Sequence, residues 1–183
     1  MSAKEINERK FREMIKYISM RSLEDKYFGA TKLNKILFYC DFIAYKDFGE
    51  SISGSGYRKG HYGPAPNTIP KVLKTMIEEK EMIEVPRPFG SYMQRKPVAL
   101  QVPDLDMFSP KEISLIDGVI EQFAGMSASD VSDLSHEFIG WQAARMGEDI
   151  PYETVLLEEH EITEEEKEYG RSLMGMAEEM LAR

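Results

Sequence analysis

Apolar residues follow helical stripes over most of the chain and alternate only in short stretches. Phe11, Met14, Ile15 and Ile18 keep the i, i+3, i+4, i+7 spacing of one helix face, and Ser2 with Glu5 reads as a capping box, so a first helix is predicted over residues 3–20. A second is predicted from a Thr31 cap to Asp47, with Gly49 just past its end. Its apolar residues wrap widely: Leu33, Ile36, Leu37, Cys40 and Ala44 mark one face, and Phe38, Phe42, Ile43 and Tyr45 much of another. A helix apolar on most sides is buried on most sides, which places this one at the centre of the fold.

Gly49, Gly54, Gly56, Gly60 and Gly63, with Pro64 and Pro66, exclude helix and suggest turns around a short strand near Tyr57 to Tyr62. A third helix is expected from Asn67 or Pro70 to Lys80, capped by Asn67, with Ile69, Val72, Leu73, Met76 and Ile77 as its stripe. Met82 to Val85 and Tyr92 to Val102 read as a hairpin with a loose loop over 86–90, and Pro97 makes the second strand an edge candidate. Ser109-Pro-Lys-Glu112 opens a fourth helix with Ile113, Ile116, Ile120 and Phe123 as its core stripe. Shorter helices follow at Ser127 to His136 and Gly140 to Arg145, then a break over 147–151 and an ambiguous stretch over 152–162. Thr163 with Glu166 caps a terminal helix carrying Tyr169, Leu173, Met176 and Met180. The expected fold class is mainly α with a small antiparallel β-sheet (α+β): a compact helical domain around a central buried helix, with an acidic C-terminal helix.

Charge adds an asymmetry that hydrophobicity does not show. The 183 residues carry a formal charge of -9, but residues 1–103 hold 18 basic and 12 acidic side chains (+6), whereas residues 104–183 hold 5 and 20 (-15). A uniformly basic nucleic-acid binder is thereby excluded. The lone Cys40 has no internal disulfide partner, which fits a reducing compartment. Residues 1–20 offer no signal-peptide apolar core, and no run approaches the roughly 18 apolar residues of a membrane helix, so a cytoplasmic protein is expected.

Candidate chemistry is sparse. His61, His136 and His160 lie far apart with no HxxxH or CxxC spacing, so neither a metal nor a cofactor is expected. Cys40, on the most apolar face of the central helix, reads as a small buried hydrophobe. The glycine spacing fits no phosphate-binding loop. Lys32, Lys35, Arg58, Lys59, Lys71 and Lys74 beside Tyr57 and Tyr62 form either a basic nucleic-acid platform or ordinary solvated faces. Asp41, His61 and His136, if they converged in one cleft, would suit a small hydrolase or nucleotide-binding enzyme. Helices followed by a hairpin also leave a winged-helix reading for residues 31–102. Met146, Met174, Met176 and Met180 either fill core gaps or build an adaptable apolar surface for a partner.

The run Lys32-Leu-Asn-Lys-Ile-Leu-Phe-Tyr-Cys-Asp41 is followed by Gly49, Ile52-Ser-Gly54, Tyr57 and Tyr62-Gly-Pro-Ala-Pro66, and further on by Ser135-His-Glu137 and Trp141. In order and spacing these resemble the Panacea domain, the SocA-like antitoxin family, over about residues 10–155. The resemblance suggests a domain over 1–155 and an acidic helical extension over 156–183. It implies a mostly helical fold with a small antiparallel sheet and no catalysis. The implied role is that of a type II antitoxin that neutralises a co-encoded toxin by direct contact, with a place in phage defence. The implied partners are a toxin of alarmone-synthetase type and, where the protein acts as a proteolytic adaptor, a Clp protease. Residues carried over as motif or partner-binding positions are Lys32, Tyr39, Asp41, Tyr57, His61, Gly63, Pro64, His136 and Trp141. On the chemistry of the residues, Asp41 is expected to be held by the Gly54 to Gly63 segment, Gly63-Pro64 to set the turn into the third helix, and Trp141 to anchor the acidic half.

Overall fold

Helix α2 (Ala30–Phe48) is the axis of the computed structural model, which describes residues 6–90 and 92–157. Around it lie α1 (Glu8–Arg21), the hairpin β1 (Tyr57–Gly60) and β2 (Gly63–Pro66), α3 (Ile69–Glu78), the hairpin β3 (Met82–Phe89) and β4 (Tyr92–Ala99), α4 (Pro110–Phe123), α5 (Ala128–His136) and α6 (Ile139–Ala143), with 3-10 turns at Leu105–Met107 and Tyr152–Leu156. The fold is α+β and mainly helical, with two separate two-stranded antiparallel sheets.

The two apolar faces of α2 serve two cores. Leu33, Ile36, Leu37, Cys40 and Ala44 join the larger core with α1, α3 and α4, while Phe38 and Phe42 meet Tyr57 and Ile150 in a smaller aromatic one. Phe42 also lies 4.6 Å from the Tyr152 ring and 5.3 Å from Phe138, so the last 3-10 turn and the approach to α6 close over this side of the helix. Each fully buried ring or aliphatic side chain contributes about 1.5–3 kcal/mol relative to exposure, so a helix buried on both faces organises the molecule.

Several boundaries differ from the sequence expectation, each for a local reason. The Ser2–Glu5 capping box and the helix after Thr163 lie outside the described residues. Helix α1 starts at Glu8, because the Asn7 side chain accepts from Lys10 N and its own N–H donates to Ser53 O, holding residue 7 outside the helix. Gly29, in extended conformation, rather than Thr31, caps α2, and the first helical bond runs from Leu33 N to Gly29 O. Asn67 does not cap α3: its amide accepts from Arg58 Nε and donates to Asp149, and Thr68 takes the cap position without a side-chain bond. The expected single strand near residues 57–62 is a hairpin whose tip is His61-Tyr62, with Gly60 opposite Gly63. The presumed loose loop after Val85 is ladder throughout, since Pro86, Arg87, Pro88 and Phe89 pair with Arg95, Gln94, Met93 and Tyr92. Both Ser109–Glu112 and Ser127–Asp130 form complete capping boxes.

Charged side chains tie the outer elements down. Lys10 pairs with Glu112 at 2.7 Å, Arg12 with Glu79 and Glu81, and Arg21 with Asp117 at 3.1 Å. Lys96 is almost fully buried and donates to the carbonyls of Leu23 and Asp25, fixing β4 against the turn between α1 and α2.

Candidate functional site

Asp41 sits on the inner side of α2 with no exposed surface. Its Oδ1 accepts from Ser53 N at 2.8 Å, and its Oδ2 accepts from Ser53 Oγ at 2.5 Å and from Tyr57 OH at 2.6 Å. Burial pushes the carboxyl above its usual range, against the pull of the Ser53 and Tyr57 donors. Burial, with the Asp41 charge added, drives the Tyr57 phenol well up, and the same two causes raise the Cys40 thiol. A carboxylate so enclosed is a fastener between α2, the serine-rich turn at 51–55 and β1. Its donors come from Ser53 and Tyr57, so only Tyr57 belongs to the expected Gly54 to Gly63 segment.

Nearly two turns earlier on α2, Lys35 is 1 % exposed and its Nζ donates to Pro64 O at 2.8 Å. Burial lowers this amine to about 7. Gly63, at φ +88, packs where any side chain would strike Ser135 Oγ and the Lys35 Nζ end, so glycine is required by both backbone conformation and space. Pro64 lies on β2 and serves as the Lys35 acceptor through its carbonyl; the entry into α3 is made at residues 67–68 instead. Ser132 Oγ donates to Tyr62 O and Ser135 Oγ to Ser132 O, fastening α5 to the hairpin tip.

Lys32 is as buried as Lys35; its Nζ meets Asp25 Oδ2 at 2.5 Å and Met126 O at 2.8 Å. Two of the six lysines and arginines proposed for a basic platform are therefore interior, and Lys59 is engaged over the Trp141 ring at 4.0 Å and by Ala144 O at 3.0 Å. The platform is dismantled by burial, leaving Arg58, Lys71 and Lys74 on the surface.

Trp141 ties the acidic half to β1. Its Nε1 donates to Gly60 O at 3.3 Å, and its ring stacks on His136 with centroids 4.1 Å apart. His136 Nε2 is buried without a hydrogen-bond partner among the described residues, and burial with the Lys35 and Lys59 charges lowers its pKa. Tyr39 packs edge-on against Phe123, and burial, with the Glu137 charge added, pushes its phenol up to about 12. Along the other edge of β1, Ile150 N bonds Tyr57 O, Lys59 N bonds Glu148 O, and Gly147 N bonds Lys59 O, so residues 147–150 lie beside the strand.

The hydrolase geometry does not assemble. Asp41 is sealed by Ser53 and Tyr57, His136 faces Trp141, and His61 is exposed at the hairpin tip beside Tyr62, itself 75 % exposed. Among the described residues no group of three His, Cys, Asp or Glu side chains is placed to hold a metal ion, and no helix is long and apolar enough to cross a membrane. Lys35, Ser53, Ser135 and Tyr152 also belong to the constellation; the first three stood in the sequence reading only within motif runs or, for Lys35, as a surface cation, and Tyr152 only within an ambiguous stretch. The signal for Lys35 was its position on a helix apolar on most sides, and for Ser53 the alternate serines of Ser51-Ile-Ser-Gly-Ser55 beside a buried acid.

What these contacts define is a helical α+β domain whose most distinctive polar residues bond one another across α2, β1, β2 and α5 rather than opening onto a cleft. The chain belongs to the SocA-like antitoxin family, Panacea domain, whose family model matches residues 33–142. Comparison with curated proteins found no match, and neither did comparison with solved structures.

Proposed function

We propose that this protein is the antitoxin of a type II toxin–antitoxin pair and neutralises a co-encoded toxin enzyme by direct protein contact in the cytoplasm. The observation that carries the reading is membership of the antitoxin family through a segment, residues 33–142, whose motif side chains, apart from His61 and Tyr62 at the hairpin tip, are engaged inside the fold. Such a segment makes a rigid body, and a rigid body acts through its surfaces. The -15 balance of residues 104–183 supplies a field that attracts a basic partner, as an enzyme acting on nucleotides or RNA presents. Alarmone-synthetase-like toxins fit that description. The acidic extension from residue 156, with nine acidic and three basic side chains, acts as a steering element appended to the domain of residues 1–155.

Coexpression with the product of the adjacent open reading frame tests this. Restored growth together with a copurifying complex is expected; absence of both refutes it. Toxin half-life in cells with and without Clp separates masking, where it is unchanged, from delivery to the protease, where it shortens.

A further inference from the structure

Between the turn after α2, the start of α3 and the 3-10 turn at Tyr152–Leu156 lies a cavity of about 650 Å³. One wall is main chain: Gly54, Ser55 and Gly56, with Gly54 in the left-handed region. Another is aromatic. Tyr45 and Tyr152 stack with centroids 5.4 Å apart, and Tyr152 OH is held by Ser55 O at 2.5 Å, which keeps the wall rigid. Thr68 also lines the cavity, and its Oγ1 is buried without a hydrogen-bond partner among the described residues, where a polar atom is nearly always satisfied.

The rim sets the sign of the occupant's charge. Glu50, Asp149 and Glu153 are exposed carboxylates, and among the described residues lining the cavity there is no lysine or arginine. The nearby Arg58 is turned onto Asn67. The N-terminus of α3 opens here too, but a helix end carries only about +0.5 of a charge, which the Asp149 and Glu153 carboxylates outweigh. We propose that this cavity receives a lysine- or arginine-bearing segment of the partner protein, the aliphatic stem lying on the tyrosines and glycine main chain while the cationic head reaches the carboxylates. The chain's own end is a poor occupant, since seven glutamates fall between Glu158 and Glu168. This inference rests on the antitoxin reading and specifies which surface that reading uses.

The test uses the full chain and the purified product of the adjacent gene. A photo-crosslinking residue is placed at Glu153 and, as a control, at Met93 on β4, which is 58 % exposed and far along the other hairpin. In parallel Glu50→Lys/Glu153→Lys, both at exposed positions, is compared with wild type for affinity and thermal unfolding. Crosslinks to the partner from position 153 but not 93, with affinity weakened about tenfold or more and unfolding unchanged, are expected. Unchanged affinity of the double variant, or crosslinks from position 153 to a second copy or to residues 158–183 of the same chain, overturns the cavity while leaving the antitoxin reading standing. If wild type itself forms no complex, the antitoxin reading fails and the cavity assignment falls with it.

Discussion

Lys35→Met is the substitution whose consequence follows most directly from the structure. The wild-type amine is buried, has Pro64 O as its hydrogen-bond acceptor, and is lowered by burial to about 7. In the unfolded chain the same amine titrates near about 10.4. Between these values the unfolded state binds the extra proton, so stability rises with pH, beginning as pH passes the folded pKa. From about pH 7 to about pH 8.5 the gain is RT ln of the ratio of (1 + 10^(pH − pKa)) at the two ends, or roughly 1.5 kcal/mol. His136, also lowered, contributes its rise below about pH 6.5, outside this window. Toward about pH 8.5 the unfolded Cys40 thiol is about half ionised while the buried one stays protonated, which offsets about 0.4 kcal/mol of the gain and flattens the slope above that pH. Urea unfolding followed by far-UV circular dichroism across the window gives the slope. Wild type gains stability, whereas Lys35→Met, isosteric along the stem, loses that rise and keeps only the slight fall from Cys40. A flat wild type, or a variant with the wild-type slope, refutes the claim that this lysine is buried and starved of counter-charge.

Three further substitutions probe the same constellation. Gly63→Ala places a methyl group against Ser135 Oγ and Lys35 at φ +88 and is expected to cost about 2–4 kcal/mol in urea unfolding; wild-type stability contradicts the packing. Tyr57→Phe leaves Asp41 Oδ2 short of one donor inside the fold and is expected to cost about 1–3 kcal/mol, with Ser53→Ala producing a comparable loss. Trp141→Ala removes a half-buried ring, its Gly60 bond and the Lys59 contact, for about 2 kcal/mol. Hydrogen exchange should accelerate at Lys59 and Ile150 in that variant, and unaltered protection there contradicts the tether.

Helical periodicity alone identified the centre of the fold, because the two apolar faces of α2 really do meet two separate cores. The Ser109 capping box was legible for a similar reason: its signal is local and its partners are three residues apart. Lys32 and Lys35 were misread from the same helix. Their i, i+3 spacing looks like a solvated face, but over residues 32–44 of α2 no position is exposed, and their acceptors, Asp25, Met126 O and Pro64 O, come from elsewhere in the chain. Asn67 failed as a cap because a long-range pair, Arg58 and Asp149, competes for its amide. The importance of Asp41 was visible as a motif residue, yet Ser53 and Tyr57 as its partners depend on how the 51–55 turn folds back. Local signals were readable; those decided by contacts distant in sequence were not.

The central claim is that this protein silences a toxin by holding it. Titrating purified antitoxin into the purified product of the adjacent gene, with that enzyme's activity read directly and its integrity checked on a gel, tests this without cells or proteases. Activity falling to zero at molar equivalence with the toxin intact is the predicted result. Full activity with the antitoxin in large excess contradicts it.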